Sequence, residues 1–137
     1  MFESEVQIRV RYAETDQMGY VYYGNYAAYY EVARTEVFRR LGINYKDMEA
    51  TGTMMPVLEL KCKYIRPAKY DDMLRIKLLL KTKPSGSRIL FSYEVYNQDD
   101  TLLNVGETTM VFVDMKTGRP RTAPELIHQK MDSYFSE

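Results

Sequence analysis

The pattern that most constrains the fold is one long amphipathic helix followed by a nearly unbroken series of strand patterns. From Asn25 onward, apolar residues recur at helical spacing, at Tyr26, Tyr30, Ala33, Val37 and Leu41. Gly42 follows as a C-terminal stop, and Asn25 is a residue type that caps helix N-termini. We therefore predict one long helix that begins at Asn25 and ends before Gly42.

Apolar and polar residues alternate in four further stretches, which is typical of strands with one buried face. These stretches are residues 6–12, 58–64, 74–81 and 89–96. Turn residues at 83–87 and 97–100 predict antiparallel hairpins. Residues 102–113 are apolar on both faces near their end, which predicts a central strand, and residues 124–135 resemble a C-terminal helix.

Together these elements predict an α+β domain, with one long helix packed on a four- or five-stranded antiparallel sheet and a short C-terminal helix. A chain of 137 residues fits one domain, spanning residues 1–137. The helix covers only one face of the sheet. The other face and an edge strand need further cover, which self-association provides.

Charge and residue counts exclude several classes of function. Nineteen basic and nineteen acidic residues leave no net charge, so neither nucleic acid nor an anionic membrane is expected as the main partner. No apolar run reaches the length of a membrane span and no leader pattern is present, so we expect a cytoplasmic protein. One Cys and one His do not supply a zinc site, and no cofactor motif is present.

The segment before the helix combines a carboxylate with a helix start. Asp16 lies in a turn-rich stretch that leads to Gly24 and Asn25, where the first helical N–H groups are left without helical acceptors. Such amides polarise a carbonyl, while a carboxylate attacks the carbonyl carbon or deprotonates a water. An Asp near a helix start is also a common cap or turn residue, so position types alone leave both interpretations open.

The run Asp16-x-x-Gly19-x-Val21-x-Tyr23-x-x-Tyr26 resembles the N-terminal signature of a known family. That family is the hotdog-fold acyl-CoA thioesterases of the 4-hydroxybenzoyl-CoA thioesterase type, in the branch called YbgC-like. The resemblance continues through Tyr30-x-x-Ala33-Arg34-x-Glu36 and Tyr64-Ile65-Arg66-Pro67-Ala68 and covers nearly the whole chain.

The resemblance implies a hotdog fold with a five-stranded sheet, and it implies roles for two residues. Asp16 matches the catalytic carboxylate, and Tyr23 matches the residue whose backbone N–H polarises the thioester. Many YbgC-like members have His at the position of Tyr23, but the backbone amide is retained with Tyr. The family also implies a homodimer or homotetramer with active sites at the subunit interface.

An acyl-CoA substrate requires a pocket for its acyl group and cations for its phosphates. Coenzyme A is part of this substrate, so no separate cofactor is expected. Gly19 allows a tight loop, and Val21 and Tyr26 are candidates to hold the acyl group, beside Asn25 at the helix start. Phosphate candidates near strand ends are Lys63, Arg66, Lys83 and Arg88; Arg88 is preferred because it adjoins a Ser-Gly-Ser turn.

Two other functions stay open from the sequence. One is a thioesterase that acts on acyl carrier protein, which would need a basic docking patch for an acidic partner. The other is a non-catalytic binding module in which Asp16 is only a turn residue. The acyl group is equally open, because the tyrosine-rich segment fits an aromatic group or a short chain. Cys62 shares its strand face with Leu58 and Leu60 and is predicted to be a small buried hydrophobe.

Overall fold

A computed structural model describes residues 1–135 and contains one five-stranded antiparallel sheet with helices packed on it. The helices are α1 (Asn25–Arg40), α2 (Tyr45–Ala50) and α3 (Glu125–Met131), with short 3-10 helices at Tyr12–Glu14 and Asp132–Tyr134. The strands are β1 (Phe2–Arg9), β2 (Thr53–Met54), β3 (Val57–Tyr64), β4 (Met73–Leu80), β5 (Arg88–Tyr96), β6 (Leu102–Val111) and β7 (Val113–Asp114). The large sheet has the order β1-β4-β5-β6-β3, and β2 pairs with β7. The predicted α+β architecture is confirmed.

Helix α1 lies across the sheet and buries the predicted face. Its buried residues include Tyr26, Tyr30, Ala33, Val37 and Phe38, and the helix packs against β1 and β4. The chain leaves the helix through Gly42, whose φ of +79° favours glycine at this position. The predicted extent of the helix is therefore confirmed at both ends.

The short helix α2 depends on a side-chain cap at its start. Asn44 Oδ1 accepts a hydrogen bond of 2.7 Å from the backbone N–H of Asp47. Because six-residue helices are not stable alone, we expect Asn44→Ala to lower the free energy of unfolding by about 1 kcal/mol. Chemical denaturation measures this change, and Asn44→Asp, which keeps an acceptor oxygen, is the control that should stay near wild type. Equal losses in both variants would contradict the role of the cap.

The core between α1 and the sheet contains a close approach of a helix side chain to the sheet backbone. The Tyr30 ring is fully buried, stacks on Tyr93 with 4.1 Å between ring centroids, and lies against Gly106 of β6. Its hydroxyl donates to Asn104 Oδ1 and lies 3.4 Å from Cys62 Sγ. Glycine at 106 leaves the space that the tyrosine ring fills.

The edge strand β3 differs from the sequence-based expectation. Its apolar residues Leu58 and Leu60 are 53% and 46% exposed, and Cys62 is only partly buried. The prediction that Cys62 lies on a buried face was therefore wrong in part. The reason is that α1 packs over β1 and β4, which lie at the opposite edge of the sheet from β3, and so leaves the β3 edge uncovered.

Two further expectations need correction. The long strand β6 was predicted to be central, but β5 occupies the centre and β6 lies between β5 and the edge strand β3. The predicted C-terminal helix is shorter, because regular α-helix covers only α3 and a 3-10 turn follows it. Among residues 1–135, no helix has the length and apolar character to cross a membrane.

Candidate active site

The loop between β1 and α1 folds into a tight turn around Asp16. The backbone N–H of Asp16 donates to Tyr20 O at 2.8 Å, and the N–H of Gly19 donates to Asp16 O at 3.0 Å. Gly19 has a φ of +80°, a left-handed conformation that residues with a Cβ rarely adopt. The loop thus holds the Asp16 backbone in one position.

The two oxygens of the Asp16 carboxylate have different surroundings. Oδ1 accepts hydrogen bonds from the backbone N–H groups of Met18 (2.9 Å) and Tyr20 (3.3 Å). Oδ2 accepts none from any group within residues 1–135. Oδ1 of Asp16 therefore stabilises the turn, and Oδ2 remains available to a ligand.

A second set of hydrogen bonds joins this loop to the start of α1. The backbone O of Glu14 accepts from Asn25 Nδ2 at 2.7 Å and from the N–H of Tyr22 at 2.9 Å. The prediction that Asn25 caps the helix was wrong, since Gly24 occupies the N-cap position and no side chain caps there. Asn25 instead ties the Asp16 loop to the first turn of the helix.

The helix start presents a backbone donor. Tyr22 O accepts a hydrogen bond of 2.9 Å from the N–H of Asn25, and in a trans peptide the N–H of Tyr23 must point the opposite way. That N–H has no acceptor within the described part of the chain. The positive end of the helix dipole adds to its attraction for negative charge. Such an amide can stabilise an oxyanion.

Asp16 and Tyr23 line the same shallow pocket of about 350 Å³. The predicted acyl-group residues Val21 and Tyr26 also line it, and both are buried beneath its surface. The remaining lining residues are Met18, Tyr20, Tyr64, Ile65, Arg66 and Pro67. The pocket therefore joins a carboxylate and an amide donor to a largely apolar, aromatic wall.

The other predicted site residues lie elsewhere. Gly19 shapes the loop, and Asn25 ties the loop to the helix. Lys63 lines a different groove of about 400 Å³, together with Lys61 and Lys81, and Arg88 begins β5 outside the pocket. The proposed contacts of Lys63 and Arg88 with phosphate remain predictions.

Sequence reasoning missed the far wall of the pocket. Tyr64 was assigned only to a strand, yet its hydroxyl donates to Tyr23 O at 3.3 Å. Arg66 was considered only among several phosphate candidates, but it is the single cation among the pocket residues. The Tyr64–Ala68 match to the family was the signal that placed this strand end near the site. Within residues 1–135, no group of three His, Cys, Asp or Glu side chains is arranged to hold a metal ion.

Comparison with known proteins places this geometry in a family. Residues 10–131 match the sequence model of the thioesterase-like superfamily. The chain is 36% identical over 120 residues to the acyl-CoA thioester hydrolase YbgC of Escherichia coli O6:H1. The matched region covers 88% of this chain and 89% of YbgC. It is 34% identical over 120 residues to the putative acyl-CoA thioesterase YneP of Bacillus subtilis, and this match covers 88% of this chain and 86% of YneP.

A solved structure agrees with these relatives. The fold superposes on a DHNA-CoA thioesterase from Staphylococcus aureus with a TM-score of 0.91 at 32% identity, over 98% of this chain and 92% of that one. The chain therefore belongs to the thioesterase-like superfamily, the hotdog-fold class of thioester hydrolases. Within that class, the expected resemblance to the YbgC-like branch is confirmed.

Proposed function

We propose that this protein hydrolyses acyl-CoA thioesters to a free carboxylic acid and coenzyme A at the pocket that contains Asp16 and Tyr23. The observation that carries the proposal is that one pocket is lined by Asp16 and Tyr23, whose carboxylate Oδ2 and backbone N–H respectively lack partners within residues 1–135. The similarity to YbgC and YneP supports the reaction class.

In this mechanism the thioester carbonyl oxygen accepts the Tyr23 N–H, which stabilises the developing oxyanion by about 3 kcal/mol. Asp16 takes a proton from water, whose oxygen attacks the acyl carbon; the C–S bond then breaks and the thiolate of coenzyme A leaves and is protonated. Alternatively, Asp16 attacks the carbon itself, the C–S bond breaks to release the thiolate of coenzyme A, and water then hydrolyses the resulting anhydride. After a single turnover in ¹⁸O-water, label in Asp16 identifies the second route with water attacking the Asp16 carboxyl carbon, because the general-base route places the label only in the product acid.

The walls of the pocket favour an aromatic acyl group. Tyr20, Tyr23, Tyr26 and Tyr64 surround it, and Tyr64 meets the Tyr26 ring edge-on at 5.5 Å between centroids. Aromatic rings prefer such edge and offset contacts with one another. The similar Staphylococcus aureus protein is a thioesterase for DHNA-CoA.

The direct test is release of free thiol from purified protein with aromatic, short aliphatic and long aliphatic acyl-CoAs, and with the same acyl groups on acyl carrier protein. We expect the highest kcat/KM with an aromatic acyl-CoA. Higher kcat/KM with the carrier-protein substrates would move the proposal to that class. No turnover of any thioester would leave the binding-module interpretation.

We also propose that a second copy of this chain covers the edge strand β3. The strand exposes Val57, Leu58 and Leu60 together with a backbone edge that no other strand of residues 1–135 pairs with, which is a template for pairing with another strand. A two-fold pairing of β3 with the same strand of a second copy would join two sheets into one. A tetramer built from two such dimers remains a further expectation.

A charge in this edge should prevent the pairing. We expect Leu60→Glu to convert the assembly to monomers in light scattering coupled to size-exclusion chromatography, because the pairing would bury two unpaired carboxylates. Met115→Glu places the same charge at an exposed residue in the turn after β7 and serves as the control. A Leu60→Glu protein of wild-type mass would contradict assembly through this edge.

A further inference from the structure

The last residue of the edge strand β3 reaches the start of α1. The Tyr64 hydroxyl donates a hydrogen bond of 3.3 Å to the backbone O of Tyr23. Its ring also meets the rings of Tyr26 at 5.5 Å and Tyr23 at 6.4 Å, both edge-on. Tyr64 is thus the strand residue that fastens the peptide segment carrying the proposed oxyanion donor.

This contact matters because Asn25 ties the first turn of the helix to Glu14, whereas the Tyr23 carbonyl itself is held loosely within the helix. Tyr23 O accepts a bond from the N–H of Tyr26 at 3.4 Å, which is longer than usual for an amide hydrogen bond. Helix ends fray, and a long hydrogen bond in the first turn restrains the adjoining peptides poorly. The Tyr64 hydroxyl supplies a second donor to the same carbonyl from a different element; at 3.3 Å this bond is also long, so the two donors together restrain the peptide more than either does alone.

The Tyr64 hydroxyl stays protonated at neutral pH. Desolvation and the neighbouring Cys62 raise the pKa of Tyr64 to about 12. It therefore remains a hydrogen-bond donor over the whole range in which the enzyme would be assayed. Loss of this contact requires removal of the oxygen rather than a change of pH.

We propose that Tyr64 is a positioning residue for catalysis, which acts through the Tyr23 backbone and holds the oxyanion-binding N–H in place. The proposal rests on the function proposed above, and it adds a residue from β3 to the loop and helix residues of the site. Tyr64 takes no proton and forms no bond to the substrate in this role. Its contribution lies in fixing the donor before the reaction, which stabilises the transition state more than the bound substrate.

The test compares Tyr64→Phe with the matched variant Tyr70→Phe. Tyr64→Phe keeps the ring contacts and removes only the hydrogen bond to Tyr23. Tyr70 lies outside the pocket in the turn before β4, is exposed, and its hydroxyl has no hydrogen-bond partner within the described residues. We expect Tyr64→Phe to lower kcat by about five- to tenfold with KM within about twofold, because a modest hydrogen bond is lost from the transition state. Tyr70→Phe should keep the wild-type kcat.

A second measurement reads the position of the helix start without turnover. Amide hydrogen exchange in the peptide spanning residues 22–29 should be faster in Tyr64→Phe than in wild type and unchanged in Tyr70→Phe. Unchanged exchange, a wild-type kcat in Tyr64→Phe, or an equal loss of kcat in both variants would overturn the proposal. A wild type that hydrolyses no thioester overturns the proposed function instead, and the anchoring by Tyr64 is then judged on exchange alone.

Discussion

Asp16→Asn is expected to lower kcat for thioester hydrolysis by at least about a hundredfold, as loss of a general base or nucleophile commonly does. The melting temperature should change little. The amide oxygen of Asn can still accept the bonds that Oδ1 of Asp16 accepts from Met18 and Tyr20. The amide group that replaces Oδ2 neither takes a proton from water nor attacks a carbonyl carbon.

Two controls separate chemistry from folding in this experiment. Asp16→Ala removes the acceptor for both loop amides as well, so it should lower the melting temperature in addition to kcat. Asp47→Asn makes the same chemical change at an exposed position on α2 and should leave kcat at the wild-type value. Asp16→Asn with at least half the wild-type kcat would show that another group activates the nucleophile.

Gly106→Ala is expected to destabilise the protein by about 3 kcal/mol, which corresponds to a melting temperature about 10 °C lower. A Cβ at this position would lie 2.6 Å from two carbons of the Tyr30 ring and closer still to its hydroxyl. The ring has no free space to move into, because it is fully buried, stacked on Tyr93 and hydrogen-bonded to Asn104. Either the helix must move away from the sheet or the stack must break.

Gly24→Ala provides the matched comparison for this prediction. A Cβ there would lie 2.8 Å from a ring carbon of Tyr22, which is an overlap similar to that at Gly106 before any side chain moves. Tyr22 is 47% exposed, however, and its ring can rotate into solvent. We expect a loss below about 1 kcal/mol in thermal or chemical denaturation. Equal losses for the two glycines would contradict the view that confinement of the Tyr30 ring sets the cost.

The sequence predicted those parts of the fold that depend on local pattern. The helical spacing from Tyr26 to Val37 placed α1, and strand alternation placed four of the five large strands, because both periodicities are properties of neighbouring residues. The first strand was predicted over residues 6–12, but β1 spans Phe2–Arg9 and a 3-10 helix begins at Tyr12. The exposure of Leu58 and Leu60 was not predicted. Alternation shows that a strand has an apolar face, but the element that covers that face is decided by where α1 crosses the sheet.

The same distinction applies to the candidate site. Asp16 and Tyr23 lie seven positions apart in one continuous segment, so their pairing was visible as a pattern and as a family resemblance. The bond from Tyr64 to Tyr23 joins residues 41 positions apart. Side chains that meet across such a separation have no local signature, and a single sequence contains no direct record of their contact.

The pocket is built from two segments with separate tasks. The proposed chemistry belongs to one continuous segment, from Asp16 to Tyr26, whereas residues 65–67 of the far wall follow Tyr64, the last residue of β3. Ile65, Arg66 and Pro67 in that wall are exposed and make no side-chain hydrogen bond to the loop within residues 1–135. Mutation can therefore reshape the acyl pocket there without disturbing the carboxylate or the amide. A chain of this design can diverge toward new substrates while its reaction stays the same.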